Sequence, residues 1–90
     1  MKSIMQEKRV CYICGGTKFL EDHHIFEGAY RQASERHGLK VYLCPAHHRG
    51  IDGAHGDPLI RKLLKRAAQQ KFEERHGREE FIREFGQSFL

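Results

Sequence analysis

The chain has 90 residues, 39% of them hydrophobic and none of them tryptophan, and its formal net charge at pH 7 is +4. A chain this short predicts one small domain with a modest core, the kind a structural metal commonly reinforces. The longest apolar runs span only a few residues, so neither a signal peptide nor a membrane span is expected, and the reading is a soluble, cytoplasmic protein.

Residues 1–9 are polar, show no clear period and are expected to fray. Val10 to Gly16 reads as a zinc knuckle, with Cys11 and Cys14 two residues apart and followed by Gly15 and Gly16. Lys18 to Phe26 reads as a strand: it lacks Gly and Pro and is punctuated by Phe, Leu and Ile. Ala29 to His37 is a short helix or turn closed by Gly38, and Leu39 to Leu43 is a second strand rich in β-formers. Pro45, directly after Cys44, suits the first turn of a short helix that Gly50 and Gly53 limit.

Asp57-Pro58 is a strong helix start, with Asp as cap and Pro in the first position. That helix is expected to run to about His76, burying Ile60, Leu63, Leu64, Ala67, Ala68 and Phe72. A last helix covers Arg78 to Phe85, with Phe81, Ile82 and Phe85 inward, Gly86 as its stop and Phe89-Leu90 folding back. The fold class is therefore α+β. It is a single domain over residues 1–90, with a zinc-stapled core at 10–56 and helices at 57–90.

Cys11, Cys14, Cys44 and His47 form two C-x-x-[CH] pairs, the spacing of two knuckles closing on one Zn²⁺. Three cysteines are an odd number, so a disulfide framework would leave one over, and free thiolates suit a reducing compartment. A closed structural site has no use for His23, His24 and His48. His48 follows a zinc ligand directly and would be held rigidly, and His55 could approach the same cleft across Gly53. On a regular strand His23 and His24 point to opposite faces, so sharing a cleft requires a bulge or a strand end. Histidines suit hydrolysis of a phosphodiester, which needs a base poised near pH 7 and a divalent ion on the phosphate.

The charge is uneven, +1 over residues 1–57 and +3 over 58–90. Arg61, Lys62, Lys65 and Arg66 lie in a stretch, Pro58 through Lys71, that holds no carboxylate, and Arg49 adjoins His48. These are candidates for phosphate contact that positions a backbone without reading bases, although a basic helix face can equally be solvated surface.

The strand EDHHI, the strand KVYLC and the helix PAHHRG, bracketed by two knuckles, resemble the HNH (His-Me finger, ββα-metal) endonucleases. The resemblance spans roughly Cys11 to His55, and with its helical tail the chain is similar to small phage-type members. It implies DNA as partner and a metal-dependent cut leaving a 3′-hydroxyl and a 5′-phosphate. It implies His24 as general base, with His23 and His48, joined by His55, holding Mg²⁺ or Mn²⁺, or else Ni²⁺, Co²⁺ or Zn²⁺. A second register makes Asp22 the ligand and His23 the base. The family's middle Asn, which orients the base, has no counterpart: Leu39 stands there by count, leaving His37 or a backbone carbonyl to substitute. No small-molecule cofactor or membrane is implied, and the acting unit is a monomer or homodimer. The competing class is a non-catalytic zinc-knuckle module that binds nucleic acid or protein.

Overall fold

A computed structural model describes residues 2–90. Two short strands, β1 (Glu21–His24) and β2 (Lys40–Leu43), pair antiparallel with His23 opposite Val41 and His24 opposite Lys40. Between them lie a 3₁₀ turn (Gly28–Tyr30) and helix α1 (Arg31–Arg36). Three helices follow: α2 (Pro45–His48), α3 (Pro58–Glu73) and α4 (Arg78–Phe85). The fold is a small α+β domain.

β1 is shorter than the expected Lys18–Phe26 strand because Phe19 takes φ +55°, a left-handed conformation that interrupts an extended run. Within the sheet the pleat sorts the side chains. Val41 and Leu43 are buried on one face, opposite His23 and Glu21, while Lys40 and Tyr42 share the other face with His24 and Asp22.

Residues 3–6 do not fray. They lie along the outer edge of β2, where Ser3 Oγ donates to the Lys40 carbonyl and Gln6 Oε1 accepts from Tyr42 N at 2.6 Å. Ile4 N donates to the Gly38 carbonyl at 2.9 Å, and Tyr12 N to that of Tyr42 at 2.8 Å. Polar side chains here satisfy the backbone of an edge strand, which a search for hydrophobic periodicity does not register.

The core gathers on the buried sheet face and on α3 and α4. Phe26, Phe72, Phe81 and Phe85 are buried, and Phe26 and Phe72 each pack against Phe81 and Phe85, with ring centroids 4.5 Å apart for Phe26–Phe85 and 4.8 Å for Phe81–Phe85. Asp57 caps α3 by accepting from Leu59 N, and Gly86 ends α4 in the left-handed conformation. α3 stops at Glu73, before the expected His76, and tightens into turns whose amides reach back three residues.

The expected stripes need two corrections. Leu63 and Ile82 are exposed, whereas Gln69 is fully buried. Its amide donates to Glu73 and Ser88 and accepts from Phe89 N at 2.7 Å, so it clamps the C-terminal tail. The tail lays Phe89 against Phe26 at 5.4 Å, but Leu90 stays exposed. Among the described residues no helix is long and apolar enough to cross a membrane.

Candidate metal centres

Cys11, Cys14, Cys44 and His47 converge, with one donor atom from each lying within 4.8 Å of all the others. Tetrahedral Zn–S bonds of about 2.3 Å place two sulfurs about 3.8 Å apart, and a sulfur and a nitrogen about 3.6 Å apart. Cys14 Sγ and Cys44 Sγ are 3.8 Å apart, and His47 Nδ1 lies 3.3 Å from Cys44 Sγ and 3.8 Å from Cys11 Sγ. This Cys3His cluster could hold a metal ion such as zinc.

Its electrostatics point the same way. Burial pushes the Cys11 thiol up, but backbone hydrogen bonds from Cys44, Cys14 and Ile13 outweigh it and bring the pKa down to about 6. At Cys14 a backbone hydrogen bond from Gly16 favours the thiolate, yet the Cys11 sulfur, burial and the Cys44 sulfur together raise the pKa. Three thiols this close resist giving up all their protons until a cation compensates the charge.

A second convergence stands beside the first. His23, His48 and His55 bring one ring nitrogen each within 4.8 Å of one another. Each comes from a different element. His23 is on the buried face of β1, His48 ends α2 directly after His47 of the Cys3His cluster, and His55 is on the loop between α2 and α3. The loop folds back on α2: Ala54 N donates to the His47 carbonyl at 2.8 Å, and His55 N to that of His48 at 3.0 Å.

Gly53 makes that return possible. A Cβ there would sit 2.5 Å from the His47 carbonyl carbon and 2.6 Å from its oxygen, both rigid backbone. Gly53→Ala is therefore expected to cost about 1–3 kcal/mol through overpacking and to push His55 away from His48. Thermal denaturation and metal titration of the variant check both effects; a wild-type melting temperature with unchanged metal affinity would refute them.

His23 meets the other two rings edge to face, at 68° to His48 and 90° to His55, while the His48 and His55 rings are tilted at 48° to each other. His48 Nε2 and His55 Nε2 are 3.1 Å apart. Burial, then the neighbouring imidazoles of His48, His55 and His24, brings the His23 pKa down to about 4. At neutral pH His23 is thus an unprotonated base with a lone pair available to an ion.

Glu21 stands behind His48. Its carboxylate lies 2.9 Å from His48 Nδ1, which fixes the tautomer and leaves Nε2 as the free donor atom. The hydrogen bond from His48 is the main cause that holds Glu21 below its ordinary pKa. Burial opposes it, and Arg49 adds to the lowering.

His24 lies on the other sheet face but, as the last residue of β1, still borders the same cleft. A depression of about 260 Å³ is lined by Asp22, His23, His24, Glu27, Arg31, His48 and His55. His24 Nε2 is 2.9 Å from Glu35 Oε1, and Lys40 Nζ lies 2.9 and 3.0 Å from the two Glu35 oxygens. A carboxylate only accepts here, so His24 Nε2 carries the proton and Nδ1 is left as the basic atom.

Glu35 is thus the group that holds the His24 ring. His37 is elsewhere, 3.1 Å from Glu84 on α4 and packed edge-on against Phe72. Nothing in the sequence singled out Glu35, because the contact joins α1 to β1 across eleven positions.

The expected phosphate contacts divide. Arg49 is paired with Glu21 at 2.6 Å, and Arg61 donates to the Ala54 and His55 carbonyls at 3.2 and 3.1 Å, bracing the histidine loop. Lys65 lies over the Phe89 ring, 5.3 Å from its centre. Lys62 and Arg66 are exposed on α3, and Arg31, which the sequence did not single out, lines the cleft itself. Comparison of the chain with protein-family models, curated proteins and solved structures finds no match.

Proposed function

We propose that this protein is a metal-dependent endonuclease of the HNH type, acting on DNA phosphodiester bonds. On this reading β1, β2 and α2 form the ββα-metal unit, and the Cys3His cluster holds a structural zinc. The observation that carries it is the second convergence: three ring nitrogens from His23, His48 and His55 beside a fourth histidine whose Nε2 is held by a carboxylate. A zinc-knuckle binding module has no need of that second group.

The grouping of His23 with His48 and His55 favours the register with His23 as ligand and His24 as base over the one that uses Asp22. Three neutral nitrogens suit borderline ions such as Co²⁺, Ni²⁺ or Zn²⁺ better than Mg²⁺, which prefers oxygen donors, with Mn²⁺ between them. An ion held there supplies positive charge to the scissile phosphate and to the leaving oxygen.

The chain's own residues do the rest. Glu35 fixes the His24 ring, so that Nδ1 takes a proton from the attacking water. The water oxygen bonds to phosphorus, the P–O3′ bond breaks, and the departing 3′ oxygen is protonated by solvent. Arg31 faces a phosphate in the cleft, and Lys62 and Arg66 serve the flanking backbone, which gives weak sequence preference.

Relaxation of supercoiled plasmid by zinc-loaded protein tests the reading. Nicking is expected with Mn²⁺, Co²⁺ or Ni²⁺, less with Mg²⁺, and none with excess EDTA. Retarded migration of DNA on a gel without cleavage under any of these ions would instead favour the binding module.

A further inference from the structure

We propose that Glu27 is a fourth donor to the ion held by His23, His48 and His55, closing the site on the metal when no substrate is present. This rests on the reading of the three histidines as a metal site. Glu27 Oε1 lies 3.5 Å from His55 Nε2 and 3.6 Å from His23 Nδ1, and the His55 and His48 Nε2 atoms are 3.1 Å apart. Four donors about 2.0–2.1 Å from one ion in a tetrahedron lie about 3.3–3.4 Å from each other. These three separations lie near that edge length; Glu27 stands close to His23 and His55 but outside the mutual 4.8 Å grouping of the three rings, so it completes the set by a turn of its exposed side chain.

Charge argues the same way. Three neutral imidazoles bring no negative charge to a divalent ion in a partly buried cleft. Glu21, the carboxylate nearest His48, is already committed to His48 Nδ1 and Arg49. Glu27 reaches two of the three rings, lines the same cleft, and makes no side-chain cap for the 3₁₀ turn it precedes. Its side chain is 47% exposed, so it has room to swing off the ion when a phosphate oxygen needs the position. The resting donor set is thus three nitrogens and one carboxylate oxygen, a combination suited to borderline transition ions.

The test is titration of cobalt(II) into protein already carrying zinc in the Cys3His cluster, followed by the visible d–d absorption. Bands without sulfur charge transfer report the histidine site alone. Glu27→Gln is expected to weaken cobalt binding at least tenfold and to change the shape or intensity of the bands. Glu79→Gln, which removes an exposed carboxylate on α4, is expected to change neither. Weaker binding with an unchanged spectrum would mean that Glu27 acts only as a nearby charge, and would overturn its role as ligand. Unchanged binding in Glu27→Gln while His48→Ala abolishes it would overturn the proposal and leave the three-histidine site standing. Unchanged binding in His48→Ala as well would remove the metal site itself, and with it both readings.

Discussion

Cys44→Ser is expected to yield a chain that does not fold at neutral pH, rather than a folded protein lacking activity. Cys44 immediately precedes α2, and its sulfur lies 3.8 Å from Cys14 Sγ and 3.3 Å from His47 Nδ1. An ion held there would tie the Cys11–Cys14 turn to the junction of β2 and α2. Zinc binding in small domains supplies folding free energy on the order of 10 kcal/mol. The whole stability of a domain is about 5–15 kcal/mol, so losing a thiolate ligand removes a large part of what keeps the native state populated. The core alone is small, because four phenylalanines and a few aliphatic residues carry it. Far-UV circular dichroism and zinc content of the variant check the expectation, and a strong chelator should drive the wild type into the same state. A variant that melts cooperatively without zinc would mean that the cluster is dispensable for folding.

The second large effect concerns chemistry rather than fold. His24→Ala is expected to lower plasmid nicking by about 10²–10⁴-fold, the usual contribution of a positioned general base. The fold should survive. The lost contacts are one hydrogen bond to Glu35, worth about 1 kcal/mol, and the packing of a largely covered ring at the end of β1, while Lys40 still pairs with that carboxylate. Cobalt(II) affinity of the histidine cluster should be unchanged, since His24 is not among its donors. Cleavage rate and metal affinity measured on the same preparation separate the roles. Full activity in His24→Ala would move the base elsewhere, with Asp22 and His23 the next residues to test.

Much of this arrangement can be read from the residues in order. The Asp57-Pro58 start and the Gly86 stop are local signals, and α3 begins and α4 ends where they place them. The four residues of the Cys3His cluster were also legible, because two short spacings bring them into two pairs. What stayed hidden depends on contacts between distant segments. Glu35 beside His24 and Glu21 behind His48 each join separate elements, and no local spacing announces them. Leu63 and Gln69 illustrate a second limit: helical periodicity marks a face, but packing decides which members of it are covered. Arg49 and Arg61 illustrate a third. A basic residue near a site can brace it internally, and composition cannot distinguish that from contact with a phosphate.

The segment along β2 has a practical consequence. A two-stranded sheet presents open edges on which a neighbouring molecule can build. Here Ser3, Gln6 and Tyr12 take up the Lys40 carbonyl and both backbone groups of Tyr42, standing in for a third strand without being one. Trimming residues 2–9, or fusing a bulky tag that drags them off, would uncover that edge and invite self-association through strand pairing. An expression design for this protein should therefore keep residues 2–9 in place against β2.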